Sequence, residues 1–292
     1  MERRHTLAEL LLVDGHALAF RAFFGFPNLY FTPEGDPVNA VQGFGSMLVN
    51  TIRTFDPDMV SVVFDAPGKS FRSDLFPDYK AQRPPVPVEL TSQFPLMQEF
   101  LLYMGIPTVA VDEVEGDDVL ASISVSRITN GDRVTILSPD KDLCQLLSSD
   151  GISLMKYDGR KGSFSRLTRD RFCSDYGFSP ESFCDYLALM GDSCDNVPGV
   201  KGIGKKTASS LVGDFGCLEN IYDNLASLKP AARRKLEAGK DVAFLSRDLV
   251  TLKTDVDLPD RLLASCCIDP DSLFEFCSST GLGSLYSRCM GW

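Results

Sequence analysis

A chain of 292 residues, 44% of them hydrophobic, suits one large domain or two modest ones with a real core. Its 40 acidic residues outnumber 29 basic ones for a net charge of −11, which at first weighs against a nucleic-acid partner. No apolar run approaches ~18–20 residues, so no membrane span is expected, and two histidines, His5 and His16, leave little for a zinc site or a histidine triad.

The N-terminal MERRHTLAELLLVDG loosely mimics a signal peptide. Glu9 interrupts its apolar run, Asp14 ends it and no small-residue cleavage site follows, so the stretch reads as a first buried strand. Nine cysteines, none in a C-x-x-C pair, read as reduced thiols packed as small hydrophobes, which places the protein in the cytoplasm.

Four apolar runs predict buried strands: LLLVD (10–14), MVSVVFD (59–65), IPTVAVD (106–112) and RVTILSPD (133–140). Helix-length segments at 39–55, 88–104 and 116–128 separate them. This βαβ rhythm predicts an α/β fold, with a mostly parallel central sheet flanked by helices. FPDYKAQRPPVPV (76–88) breaks the rhythm with four prolines and reads as a loop or arch. After about residue 170 the strand signal fades, and 179–190, 204–213, 216–226, 230–238 and 240–248 read as short helices. The expected division is therefore an α/β core over 1–175, with an arch at about 72–90, and a helical module over 176–292.

Three predicted strands end in an aspartate: Asp14, Asp65 and Asp140. In open parallel sheets the ligand crevice lies beyond the carboxyl ends of the strands. If strand geometry persists, Asp140 and Asp142 share a face and Lys141 points away. Glu115, Asp117 and Asp118 open a helix, where acids also serve simply to complement the helix dipole. With Asp192 and Asp195, nine carboxylates are available to converge. Two like charges ~4 Å apart repel by about 4 kcal/mol at an effective dielectric near 20, so such a cluster protonates or binds cations. All-oxygen ligands select Mg²⁺ or Mn²⁺, the equipment of two-metal phosphodiester hydrolysis. Setting these nine aside leaves 31 acids against 29 basic residues, which removes the charge objection.

GVKGIGKKT (199–207) nearly matches a nucleotide-binding loop, but Lys206 stands where a Ser or Thr would hold Mg²⁺, and the run follows a turn instead of a buried strand. It suits a glycine turn between two helices, whose amides, backed by a helix N-terminus, point at a backbone phosphate. Lys201, Lys205 and Lys206 add charge there; the alternative is a plain helical corner with solvated lysines.

Taken together, LLVDGHALAFRAFF, VVFDAPGKSFRSDLFPDYKAQRPP, VEGDDVLAS, SPDKDLCQLL, LALMGDSCDNVPGVKGIGKKTA and, more weakly, the stretch ending LVTLKTDV resemble the 5′-nuclease family over residues 10–255. That family takes in the 5′→3′ exonuclease domain of bacterial DNA polymerase I and the flap endonucleases. The resemblance implies a PIN-like core with a helix–three-turn–helix module. It implies Asp14, Asp65, Glu115 and Asp117 as ligands of one divalent ion, with Asp118 in the same cluster. Asp140, Asp142, Asp192 and Asp195 would surround a second. Lys80 and Arg83 match the family's catalytic basic pair on the arch, and Arg72 matches a phosphate contact at its base. Gly199, Lys201, Gly202, Gly204, Lys205, Lys206 and Thr207 would grip duplex DNA, with a K⁺ ion at the turn. Gly116 stands where the family often has alanine, and Cys194 where it often has serine; neither change removes a ligand.

The resulting expectation is a Mg²⁺- or Mn²⁺-dependent 5′→3′ exonuclease and 5′-flap endonuclease. Its substrates would be DNA 5′ ends, nicks and flaps, and RNA primer strands, in replication and repair. Arg21 reads as a phosphate contact. Tyr79 reads equally as a base-stacking or a packing residue, whereas Phe20, Phe23, Phe24 and Phe26 favour core packing. The rivals are a non-catalytic DNA-structure-binding protein, expected to have lost acids or Lys80, and an RNA-cleaving relative, expected to lack the glycine turn. A monomer is the default, a polymerase partner is open, and so is the choice between a stand-alone nuclease and an excised domain.

Overall fold

The computed structural model describes residues 7–26, 30–158 and 163–291; His5 lies outside them. Six strands form one sheet: β1 (Glu9–Asp14), β2 (Met59–Val63), β3 (Thr108–Val109), β4 (Arg133–Leu137), β5 (Ile152–Asp158) and β6 (Ser163–Leu167). Their order is β3-β2-β1-β4-β5-β6, and only the β5–β6 pair is antiparallel. From β1 the chain winds outward through β2 and β3, then returns to β1's other side as β4. The order therefore reverses between β1 and β4, where open α/β sheets leave a crevice at the carboxyl ends of their strands. Asp14 pairs with Val63, and Val13 with Leu137, so the ends of β1, β2 and β4 lie level beside that crevice.

The apolar strands are buried on both faces, as central parallel strands must be. Leu10 and Leu12 join Val134 and Ile136 in one core cluster, while Leu11 and Val13 join Val60, Val62 and Leu137 in the other. Helix Gly116–Thr129 and the helices of the second half, among them Phe183–Met190, Lys205–Phe215 and Lys240–Val250, cover the first face. Helices Gly15–Gly25, Asn39–Phe55 and Phe94–Tyr103 cover the second.

Several elements differ from the sequence reading. Residues 15–25 form a helix that the reading passed over, capped by Asp14, whose Oδ1 accepts the Ala17 N–H at 2.9 Å. The expected helix over 88–104 is two, Val88–Thr91 and Phe94–Tyr103. Pro95, which has no N–H to give the Thr91 carbonyl, restarts the helix in its first turn. The Gln93 side-chain oxygen accepts the Ala40 and Val41 amides, which the first turn of the helix Asn39–Phe55 leaves unsatisfied. β3 shrinks to two residues, and the β5–β6 pair was not foreseen. Nor were the helices Pro270–Ser279 and Gly283–Met290, which bury Leu273, Phe276 and Leu285 in the second core cluster.

Candidate active site

Asp14, Asp65, Glu115, Asp117 and Asp140 line one cleft of about 470 Å³, with Lys80 and Arg83 across it. Long-range bonds fix two of the acids. Asp14 Oδ2 accepts from Ser138 Oγ at 2.8 Å, and Asp65 Oδ1 accepts from the Gly116 amide at 2.6 Å. His16 Nδ1 accepts the Asp65 N–H at 3.0 Å, and burial lowers its pKa, so it serves as a neutral acceptor. Burial, then the charges of Asp65 and Asp140, push the Asp14 carboxyl up to about 6 against the pull of its hydrogen bonds. Burial, Asp140 and Asp14 raise Asp117 well above the usual carboxylate range. Cations bound among these groups would offset the like charge that raises them.

A second group stands beside the first. Carboxylate oxygens of Asp142, Asp192 and Asp195 lie within 4.8 Å of one another. Among the described residues Asp142 Oδ1 is buried and finds no donor. Burial, with Asp140 and Asp195 adding like charge, pushes the Asp142 carboxyl up to about 8. A buried acceptor without a donor beside two further carboxylates fits a hard cation. Strand geometry ends at Leu137; a turn, with Asp142 N donating to Asp140 Oδ1 at 2.8 Å, joins Asp140 and Asp142 instead. Contrary to expectation, Lys141 does not point away. Its ammonium lies 3.0 Å from Asp192 Oδ2. Asp140 also departs from the expected grouping, because it lines the cleft of Asp14 and Asp117 and its charge reaches both clusters.

The arch residues link the two groups. Lys80 Nζ donates to Glu115 Oε2 at 2.8 Å and lies 3.6 Å from Asp195 Oδ2; Arg83 pairs with Asp195 Oδ1. Burial would lower the Lys80 pKa, but Glu115 and Asp195 outweigh it and hold it above its usual value. Lys80 has a φ of 56°, in a left-handed region uncommon for lysine. Its own N–H, donated to the Asp195 carbonyl at 3.0 Å, fixes that turn, as do Gln82 Nε2 on the Ser193 carbonyl and Asn196 Nδ2 on the Asp78 carbonyl.

Five assignments need correction. Asp118 is no open ligand: it is fully buried, and Arg72 grips both its oxygens, at 2.7 and 2.8 Å. Arg72 is no phosphate contact: it is 1% exposed, and its remaining donors reach the carbonyls of Leu249 and Thr251. Tyr79 cannot stack on a base, since it is 8% exposed with its hydroxyl donating to Glu115 Oε2 at 3.2 Å. Gly199 cannot touch DNA, being buried with its N–H on Ser246 Oγ at 3.1 Å. Phe24 is not core but 71% exposed, although Phe20, Phe23 and Phe26 do pack against the second core cluster.

The glycine turn keeps its other surface residues. Val200 and Ile203 are buried and anchor it, leaving Lys201, Gly202, Gly204, Lys205 and Lys206 exposed and Thr207 half-buried. Gly202 takes a φ of 83°, and Gly204 caps the helix Lys205–Phe215. Arg21 lies further along the helix that Asp14 caps. Sequence reasoning missed Ser138, His16 and Lys141, which orient or neutralise the acids. Their only signal was adjacency to an aspartate.

The description "5'-3' exonuclease, N-terminal resolvase-like domain" matches residues 9–177, and "5'-3' exonuclease, C-terminal SAM fold" matches residues 178–271. The chain belongs to the 5′-3′ exonuclease family. Among its relatives is a 5′-3′ exonuclease of Aquifex aeolicus, 39% identical over 249 residues, covering 85% of this chain and 83% of that protein. Another, of Bacillus subtilis, is 36% identical over 269 residues and covers 91% and 88%. DNA polymerase I of Thermus aquaticus is 41% identical over 276 residues, 94% of this chain but 32% of the polymerase; the chain thus spans about a third of such relatives. In fold it is similar to a zinc-bound T5 5′-exonuclease structure, with a TM-score of 0.69 at 23% identity over 97% of this chain and 98% of that one. The PIN-like sheet with a C-terminal helical module is therefore the fold of this family, and the family's chemistry is nuclease chemistry.

Proposed function

We propose that the chain is a divalent-metal-dependent 5′→3′ exonuclease and 5′-flap endonuclease that hydrolyses DNA phosphodiesters near single-strand/double-strand junctions. The observation that carries this reading is the buried, donorless Asp142 Oδ1 beside Asp192 and Asp195. Asp14, Asp65, Glu115, Asp117 and Asp140 would hold one hard cation, and Asp142, Asp192 and Asp195 a second. All-oxygen donors favour Mg²⁺ or Mn²⁺. When bound, such ions supply a nucleophile at neutral pH and charge stabilisation at both oxygens of an in-line displacement. The Gly202 carbonyl already accepts the Lys235 ammonium at 2.8 Å, so the proposal includes no K⁺ at that carbonyl.

The chain's own residues do the rest. Lys80 and Arg83 keep positive charge over the cleft and exchange their carboxylate partners for the oxygens of the phosphoryl group as its charge develops. Lys201, Lys205, Lys206 and Thr207, with the amides of Gly202 and Gly204, grip a duplex backbone, and Arg21 meets a phosphate near the cleft. Contacts of this kind read no sequence, so selectivity comes from bending and fraying at the junction. RNA-primed 5′ ends as substrates, a single-copy state, a cytoplasmic setting and a polymerase partner belong to the same proposal. No helix among the described residues is long and apolar enough to cross a membrane.

The test is a 5′-labelled flap on nicked duplex, incubated with Mg²⁺ or with EDTA. Mg²⁺-dependent cleavage near the junction supports the reading. Tight binding without cleavage in Mg²⁺ or Mn²⁺ overturns it in favour of a DNA-structure-binding protein.

A further inference from the structure

Residues 201–240 carry eight basic residues against four acidic ones, within a chain of net charge −11. All eight are exposed, and among the described residues only Arg233 has a carboxylate partner. Lys201, Lys205, Lys206, Arg234 and Lys235 are among the seven without one. Elsewhere exposed arginines such as Arg171 and Arg133 have carboxylate partners, Asp175 and Glu9. Unpaired cations repel one another, and an anionic partner removes that repulsion.

Helix Pro230–Ala238 brings part of this charge to the glycine turn. Leu236 is its buried residue, and Arg233 is paired with Glu237 on one flank. At 100° per residue, Lys235 lies on the opposite flank and Arg234 between them, facing away from Leu236. Lys235 Nζ donates to the Gly202 carbonyl at 2.8 Å, so the helix abuts the turn. Its nine residues extend about 13 Å, against about 3.4 Å of duplex axis per phosphate of one strand.

From this placement we infer that helix Pro230–Ala238 is a second phosphate-binding element, in which Arg234 and Lys235 hold duplex phosphates adjoining those gripped by the glycine turn. The inference rests on the proposed action on duplex DNA. It lengthens the duplex footprint beyond the turn without adding sequence preference, because charge on a helix surface meets only the backbone.

The test measures affinity for a nicked flap duplex against salt, in Ca²⁺ to prevent cleavage, for the wild type, Arg234→Gln/Lys235→Gln and the charge-keeping Arg234→Lys/Lys235→Arg. Each lost phosphate contact removes about 0.9 from the slope of log K against log salt. The expected result is a slope shallower by about 2 in the glutamine variant and restored in the charge-keeping one. Equal slopes for all three proteins, with thermal melts showing each folded, overturn the inference and leave the nuclease reading standing. A wild-type chain that does not bind the duplex overturns both.

Discussion

The guanidinium of Arg72 grips the carboxylate of Asp118 through two bonds of 2.7 and 2.8 Å, and neither side chain reaches solvent. The pair ties three parts of the chain together. Arg72 stands at the base of the arch, Asp118 opens the helix that carries Asp117, and the carbonyls of Leu249 and Thr251 close the ring. Asp118 Oδ1 also accepts the Lys253 amide at 2.8 Å.

Removing one partner strands a buried charge. Asp118→Ala or Arg72→Met therefore destabilises the metal-free fold by about 3–5 kcal/mol in urea unfolding. A variant that keeps its stability but loses Mg²⁺ affinity would show Asp118 to be a ligand after all.

Lys80 competes with cations for carboxylate charge while supplying charge to the reaction. Lys80→Ala should bind Mg²⁺ more tightly by calorimetry, since Glu115 and Asp195 lose their ammonium, yet cleave about 10²–10³-fold more slowly. Weaker Mg²⁺ binding would contradict this division of roles.

The acids also set a pH dependence. Asp14 titrates near 6 and Asp142 near 8, against 3.8 as the ordinary value for both. From about pH 4 to 8 the native state thus binds more protons than the unfolded chain, so metal-free stability falls as pH rises and is lowest above the upper value. Metal must displace those protons, so Mg²⁺ affinity rises with pH over the same window. Thermal melts at about pH 5, 7 and 9 in EDTA and in Mg²⁺ should diverge with pH. A constant gap between the two series would refute the linkage.

Two glycines of the turn should answer differently. Gly199 has a φ of 61°, and a Cβ there would lie 2.4 Å from the Gly191 nitrogen, so Gly199→Ala costs at least about 1–3 kcal/mol. A Cβ at Gly204 meets nothing within 4 Å, and Gly204→Ala should melt close to the wild type. Equal melting temperatures for the two variants would contradict the packing role of Gly199.

Strands β1 to β4 were legible because their runs are apolar and are followed by turn or acidic residues, and the acid set because charge clustering has few other uses. Side-chain allegiance was not. Asp118 and Asp117 are neighbours in sequence, but one helix step turns the first inward to Arg72 and the second toward the cleft. Arg72 looked like a phosphate ligand because its burial depends on carbonyls 177 and 179 residues away. Tyr79 lies in a proline-bounded loop that sequence alone leaves exposed, and its burial comes from the docking of that loop on residues 192–196. The break before the helix Phe94–Tyr103 was legible in Pro95, but the burial of Gln93 depends on a contact 53 residues away.

The central claim, that these carboxylates assemble for metal-dependent hydrolysis, is tested most directly at Asp142. The measurement is single-turnover cleavage of a saturating 5′-flap duplex in Mg²⁺ by the wild type and Asp142→Asn. The account predicts a loss of at least about 10²-fold in the variant, with flap binding in EDTA retained. Cleavage by Asp142→Asn at the wild-type rate would contradict it.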